Sequence, residues 1–344
     1  MCRIDAVDRA AYHVKMEGRS VMLYKIASFN TKKLGRSSKR DFEKIAQIIV
    51  EEELDVVALQ EIYSGDHSVK RLLEQCVKYE LYGWDFCCAV PKETSDPEKM
   101  SDMLENDSRS EGYAYLWNKK RFKLLEFTKL GKRSVFEPRI INSLSRDVAA
   151  DCSLFARTPY YIRLQPVHGG FFELRLIDVH IYFGDRSLSS VAKRKLEFDV
   201  LTKAIYPGIS ERRYGQNRAA YTIAMGDYNL NIFSPLVRTQ ERNCYLSQVH
   251  TYSDGRETVQ VLTVQDQLTT LKKPNPNYGL ETARGEGEGY ANNFDHFTYS
   301  PERSRFVNVS YQTVDAVQKY CGGDFAYYRE NISDHLPIVM TVEI

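Results

Sequence analysis

Several apolar runs in this chain, each about one strand long, close on a polar residue of a type that binds metal or phosphate. VMLYKIASFN (21–30) ends on Asn30, and DVVALQ (55–60) runs straight into Glu61. LIDVHIYFG carries Asp178 and His180, AMGDYNL carries Asp227 and Asn229, and NNFDHF carries Asp295. ISDHLPI sets Asp334 and His335 at the start of the last apolar run, HLPIVMTVEI (335–344). β-Branched and aromatic residues dominate these runs, which marks strands. A chain written this way must bring several strand ends to one rim of a sheet, where α/β proteins place their chemistry.

Helical spacing fills the gaps. DFEKIAQIIVEEE (41–53) sets Phe42, Ile45, Ala46 and Ile49 at i, i+3, i+4 and i+7, an amphipathic helix. SVKRLLEQCVKYE (68–80) and a longer stretch at 187–206 are read the same way. Further strands are expected at 112–118, 121–127, 158–165, 170–181, 219–227, 292–300 and 305–312. Residues 91–110 are polar and without period, a long loop; residues 231–290 are read as irregular, with a short helix near 234–245. Residues 1–20 are a polar lead-in, and 21–344 form one domain with a mixed sheet system.

Composition narrows the setting. A net charge of +1 commits the chain to no partner through its overall field, so an anionic substrate must be met by local patches. One such patch is 119–147, with nine Lys/Arg against three Asp/Glu. The seven cysteines are odd in number and have no zinc-like spacing, which points to reduced thiols and an intracellular protein. No signal-peptide core and no membrane anchor are evident.

Taken singly, each strand-end residue has an ordinary explanation: a turn cap for Asn30, an Asx turn for GD-x-N, a hydrogen-bonded strand Asp. Together they repeat one device. Mg²⁺ takes carboxylate and amide oxygens plus water. It polarises a phosphoryl oxygen and helps activate water, while imidazoles move protons near neutral pH.

The motifs SFNTKKLG, DVVALQEI, SEGYAYLWN, FARTPYYIRL, DVHIYFG, MGDYNL, NNFDHFTYS and SDHLPI stand in an order and spacing that resembles the endonuclease/exonuclease/phosphatase superfamily, the deoxyribonuclease I-like proteins, from about residue 24 to the end. The resemblance implies a four-layer α/β sandwich of two mainly antiparallel sheets flanked by helices. It also implies Mg²⁺, with Mn²⁺ as a substitute, held by Glu61 with Asn30 and by Asp334 as a metal-side carboxylate. Asp227 and Asn229 match residues that handle the attacking water and the phosphate. Asp295 matches a carboxylate at metal or phosphate, and His335 a phosphate-facing histidine. Which carboxylate is the base stays open. The other histidines, at 67, 168, 250 and 296, match no motif and are read as structural.

Three details resemble the deoxyribonuclease I-like endonucleases in particular. Glu111 stands where those enzymes orient a histidine, matching His180, the expected acid for the leaving oxygen. A carboxylate behind His180 would raise its pKa. Arg157 lies in their phosphate-contacting segment, and Lys32 takes the place of an Arg, keeping charge without the bidentate fork. Two details depart. Tyr63 replaces a minor-groove Arg, and 91–110 carries six Asp/Glu against three Lys/Arg, which repels a phosphate backbone and leaves open a differently shaped substrate, a loop that acts as a brake, or a protein-partner site there. The expected activity is an Mg²⁺-dependent endonuclease on DNA, favoured over RNA. The alternatives are a phosphoesterase on an inositol-phosphate or sphingomyelin type of substrate, and a silent binding module, which the presence of every motif residue argues against.

Overall fold

Two neighbouring strands, Arg19–Leu34 and Val56–Ile62, run parallel because the helix Phe42–Glu51 carries the chain back between them. Asp41 caps that helix by accepting from Lys44 N, and Phe42, Ile45, Ala46 and Ile49 face the core as their spacing predicts. The parallel pair is the centre of a sheet whose spatial order is Asn308–Thr313, Ile338–Glu343, Arg19–Leu34, Val56–Ile62, Gly112–Asn118, Trp84–Ala89. All its other pairings are antiparallel. The computed structural model describes residues 13–16, 19–36, 39–63, 65–79, 83–89, 111–141, 154–185, 187–212, 218–232, 245–253, 258–265, 267–272 and 289–344.

The second sheet repeats the plan. Phe172–His180 and Ala219–Asp227 are parallel, joined by a helical crossover at Leu188–Ser210. Antiparallel neighbours extend it, in the order Val249–Ser253, Thr258–Val264, Asp295–Tyr299, Ala219–Asp227, Phe172–His180, Tyr160–Pro166, Phe122–Leu124. The crossover outruns its expected end at 206 through a π-helical turn, Leu201–Ile205, before Pro207, which has no N–H to continue the α-ladder.

Period-2 alternation sorts the side chains into layers. Tyr24, Ile26, Val56 and Ala58 of the first sheet meet Ile162, Leu174, Leu176 and Met225 of the second in a core between the sheets. Ala27, Phe29, Val57 and Leu59 point the other way, onto Phe42–Glu51, His67–Tyr79 and two C-terminal helices, Ala316–Cys321 and Phe325–Asn331. Ile177, Val179 and Ala224 pack under the crossover helix. The result is helices, sheet, sheet, helices, as the resemblance implies. Among the described residues, no helix is long and apolar enough to cross a membrane.

Several elements differ from their sequence reading. Thr258–Val264, and Val249–Ser253 at the sheet's edge, are strands within the stretch read as irregular; their exposed residues, such as Thr251 and Gln260, alternate with buried Tyr252, Val259 and Val261. RFKLLEF does not form one strand. Leu125 is buried and donates to Arg163 O at 2.9 Å, after which the chain leaves the sheet as a hairpin, Glu126–Lys129 with Lys132–Val135. The two C-terminal helices, capped by Asp315 and Asp324, are too short to show a period. Within the polar lead-in, His13–Met16 pairs with the start of the first long strand. The 91–110 loop lies outside the described residues, as does nearly all of the short helix expected near 234–245.

Candidate active site

The carboxyl ends of the two parallel pairs meet. Asn30 and Glu61 come from one sheet, His180 and Asp227 from the other. Alternation alone places Asn30, His180, Asp227 and Asp295 on the faces between the sheets, in step with Ile26, Leu176, Met225 and Phe297. Glu61 is the exception. It is in step with Val57 and Leu59, which face the helices. The pairing slips around it, between Asn30 and Leu34 on one side and between Gln60 and Ile62 on the other. Glu61 itself sits at φ 60°. This bulge, in a conformation uncommon outside glycine, turns the carboxylate to the site. On the opposite strand, Gly226 has φ 146°, and a Cβ there would lie 1.8 Å from Val179 O, so only glycine lets the two parallel strands approach behind Asp227. GD-x-N is indeed an Asx turn: Asp227 Oδ1 accepts from Asn229 N at 2.9 Å, and Asn229, at φ 52°, donates its amide to Ile181 O at 2.8 Å.

Asn30 Nδ2 bridges the sheets, 3.2 Å from Glu61 Oε1 and 3.1 Å from Asp227 Oδ2. Its Oδ1 accepts from Lys32 N at 2.9 Å, so Asn30 aligns the two carboxylates. Asp227 Oδ2 also stands between two imidazoles, 3.4 Å from His180 Nε2 and 3.6 Å from His335 Nε2. Each ring is backed by a second carboxylate. Glu111 Oε1 is 3.1 Å from His180 Nδ1, and Asp295 Oδ2 is 2.8 Å from His335 Nδ1. The order is therefore Glu111, His180, Asp227, His335, Asp295, with Asp227 at the centre and Glu61 alongside.

The two rings differ in charge. Burial opposes the His335 cation, but Asp295 and Asp227 outweigh it and hold the pKa up at about 10. Burial and the neighbouring Arg157 guanidinium instead bring His180 down to about 4, despite Asp227. The expected rise at His180 is not met: burial is the larger cause, and Arg157, which pairs with the same Glu111 carboxylate, adds to it. Asp227 is raised by burial, with His335 and His180 pulling against the shift.

Arg157 is largely enclosed, with Nη1 3.4 Å from the carbonyls of His180 and Ile181. Lys32 and Asp334 are drawn aside. Lys32 Nζ donates to Arg329 O at 3.0 Å and pairs with Asp334 at 3.4 Å, and Arg329 Nη2 holds the same carboxylate at 3.1 Å. Asp334 thus joins neither group of metal-capable side chains found among the described residues, Glu61–Glu111–His180 and Asp227–Asp295–His335.

Sequence reasoning missed several supports. Thr269, within the stretch read as irregular, donates to Asp295 Oδ2 at 2.6 Å. The Tyr63 hydroxyl donates to Glu111 Oε2 at 3.1 Å, so the residue that replaces the expected Arg steadies the histidine's partner. Ser333 donates to Asn30 O at 2.6 Å and accepts from His335 N at 3.0 Å. Gln60, also missed, joins Asp178, already among the strand-end acids, across the sheets at 2.6 Å. Only these last two carry a sequence signal: each is polar on the inward face of an otherwise apolar strand.

The donor set suits a hard divalent cation. Glu61 and Asp227 offer carboxylate oxygens joined through one amide, and Asp295 Oδ1 is buried without a hydrogen-bond partner among the described residues.

No protein-family model and no curated protein matches the sequence. Solved structures do. TDP2 from Caenorhabditis elegans is 16% identical, with 95% of this chain and 78% of that one covered and a TM-score of 0.51. An endonuclease/exonuclease/phosphatase family protein from Bacteroides thetaiotaomicron is 15% identical over 94% and 96% of the two chains, with a TM-score of 0.47. The chain shares the fold of the TDP2 structure, the deoxyribonuclease I-like fold of two packed sheets flanked by helices.

Proposed function

We propose that this protein is a metal-dependent phosphodiester hydrolase, with nucleic acid as substrate, DNA before RNA, and Mg²⁺ or Mn²⁺ as the metal. The observation that carries this is the convergence of two carboxylate-backed imidazoles on Asp227 Oδ2, beside Glu61, at the meeting point of the sheets. Glu61 and Asp227 would hold the metal, which when bound polarises the phosphoryl oxygen and neutralises charge.

The remaining steps belong to the chain. Protonated His335 faces the developing negative charge, with Asp295 fixing its orientation through Nδ1. Asn229 and Asp227 orient the attacking water. His180 starts neutral. With Glu111 Oε1 3.1 Å from Nδ1, the tautomer that keeps its proton on Nδ1 leaves Nε2 without one, so His180 acts as leaving-group acid only after taking one up. A bound phosphodiester anion favours that uptake by adding negative charge beside the ring. Glu111, Tyr63 and Arg157 hold the tautomer and position.

The test is incubation of the protein and its Asp227→Ala/His335→Ala variant with supercoiled plasmid and with single-stranded oligonucleotides, in Mg²⁺ and in EDTA. Mg²⁺-dependent nicking absent from the variant is expected. Equal cleavage by the variant, or cleavage in EDTA, would refute the assignment.

A further inference from the structure

The hairpin Glu126–Val135, EFTKLGKRSV, stands apart from the site and carries three local costs at its tip. The two turn residues, Leu130 and Gly131, have φ 51° and 76°, the geometry of a two-residue hairpin turn that favours Asn-Gly or Gly-Gly. Leucine is strained there. Leu130 is also 95% exposed, the most exposed large apolar side chain among the described residues. Directly below it Lys129 and Lys132 are cross-strand partners, a like-charge pair that destabilises a hairpin. The hairpin's single acid, Glu126, is already taken by Lys123 at 3.0 Å and Arg133 at 2.6 Å. None of these choices serves folding. An anion between the two ammonium groups would relieve their repulsion, and an apolar surface over the tip would cover the leucine.

We propose that this hairpin is a docking element for a nucleic-acid strand, with Lys129 and Lys132 on neighbouring phosphates and Leu130 against sugars and bases. This deepens the proposed function and rests on it for the choice of partner. Placement agrees. Leu125 donates to Arg163 O at 2.9 Å and accepts from Phe136 N at 2.8 Å, which roots the hairpin on Tyr160–Pro166, the strand next to the edge of the second sheet. From Arg163 back along that chain to Arg157, beside His180, is six residues, at most roughly 20 Å at the rise of a strand, so the root of the hairpin stands within that reach of the site. That is about six nucleotides at 3.4 Å per step.

The test is binding in EDTA, where no cleavage intervenes, of fluorescently labelled single-stranded and duplex oligonucleotides by the protein and two variants, across a salt series. Lys129→Gln/Lys132→Gln should weaken binding about tenfold at low salt and reduce the slope of log K against log salt by about 1.4 on a single strand or about 1.8 on duplex, two contacts at 0.7 or 0.9 each. Leu130→Gly should raise the melting temperature, by relieving the turn, and still weaken binding severalfold. Oligonucleotides too short to span from site to hairpin should not distinguish the proteins. An unchanged salt slope with unchanged affinity would overturn the proposal. So would capture by vesicles of anionic phospholipid that both variants lose while oligonucleotide binding stays intact, which would assign the hairpin to a bilayer. If the protein cleaves no nucleic acid, the proposed function fails, while the binding series still decides the hairpin.

Discussion

Gln60 Nε2 donates to Asp178 Oδ1 across 2.6 Å, and this bond ties the two sheets together directly beneath the site. Gln60 precedes Glu61, and Asp178 lies two residues before His180. Gln60 also donates to Ser28 Oγ at 3.0 Å, two residues before Asn30. Burial pushes the Asp178 carboxyl well above the usual carboxylate range, which favours its neutral form. Asp178→Asn should therefore be nearly silent in stability. Gln60→Leu removes the partner of a buried group and should cost about 1–3 kcal/mol. It should also lower kcat more than it changes KM, because Glu61 and His180 lose their common reference. Urea melts beside steady-state kinetics check both; a Gln60→Leu protein with unaltered kcat would show that the bond serves only packing.

The proposed metal role of Glu61 predicts a loss of chemistry rather than of stability. The residue is half-buried, on a bulge, and bonded through Oε2 to Lys33 N at 3.0 Å. Glu61→Gln should change unfolding free energy by less than about 1 kcal/mol and lower phosphodiester cleavage about 100-fold or more, the loss of roughly 3 kcal/mol of transition-state stabilisation. The rise in melting temperature on adding Mg²⁺ should shrink with it. Full activity in the variant would remove Glu61 from the metal site.

The two histidines should shape stability in opposite pH ranges. His335 rises from 6.5 to about 10 on folding, so its stabilisation is complete below pH 6.5 and is lost as pH climbs through 10. His180 falls from 6.5 to about 4, so the unfolded chain binds the proton first and stability declines as pH drops from 6.5 towards 4. Each limb is on the order of a few kcal/mol. Chemical denaturation across pH should show a maximum near neutrality. His335→Asn should flatten the alkaline limb and His180→Asn the acid one; an alkaline limb unaltered by His335→Asn would mean that the ring is not held charged.

Because His180 is neutral in the free site, binding of a phosphate-like anion should draw in a proton. Calorimetric titration with inorganic phosphate or a short oligonucleotide, in buffers of different ionisation enthalpy, should show net proton uptake between pH 6 and 7 after correction for the titrant's own ionisation, about one proton at most. The uptake should vanish in His180→Asn. Binding without uptake would leave His180 unable to serve as the leaving-group acid.

Much of this site follows from local rules. Strands at Gly112–Asn118 and Ala219–Asp227 match their sequence boundaries, because β-branched and aromatic runs bounded by turn residues have few other options. Alternation from Ile26, Leu176 and Met225 already carries Asn30, His180 and Asp227 to the inner face. Glu61 does not follow from alternation, since only the slip in pairing on both sides of its strand turns it inward. The charge of each histidine is likewise a tertiary property. Glu111 and His180 meet as expected, but Arg157 reaches the same carboxylate, and burial then decides the proton. Asp334, adjacent to His335 in sequence, is drawn off by Lys32 and Arg329 from elements far along the chain or one helix away. Periodicity and turn chemistry act over a few residues and place a side chain on a face; pairing and protonation depend on fields from whatever the fold brings within a few ångströms, and no local pattern encodes those neighbours.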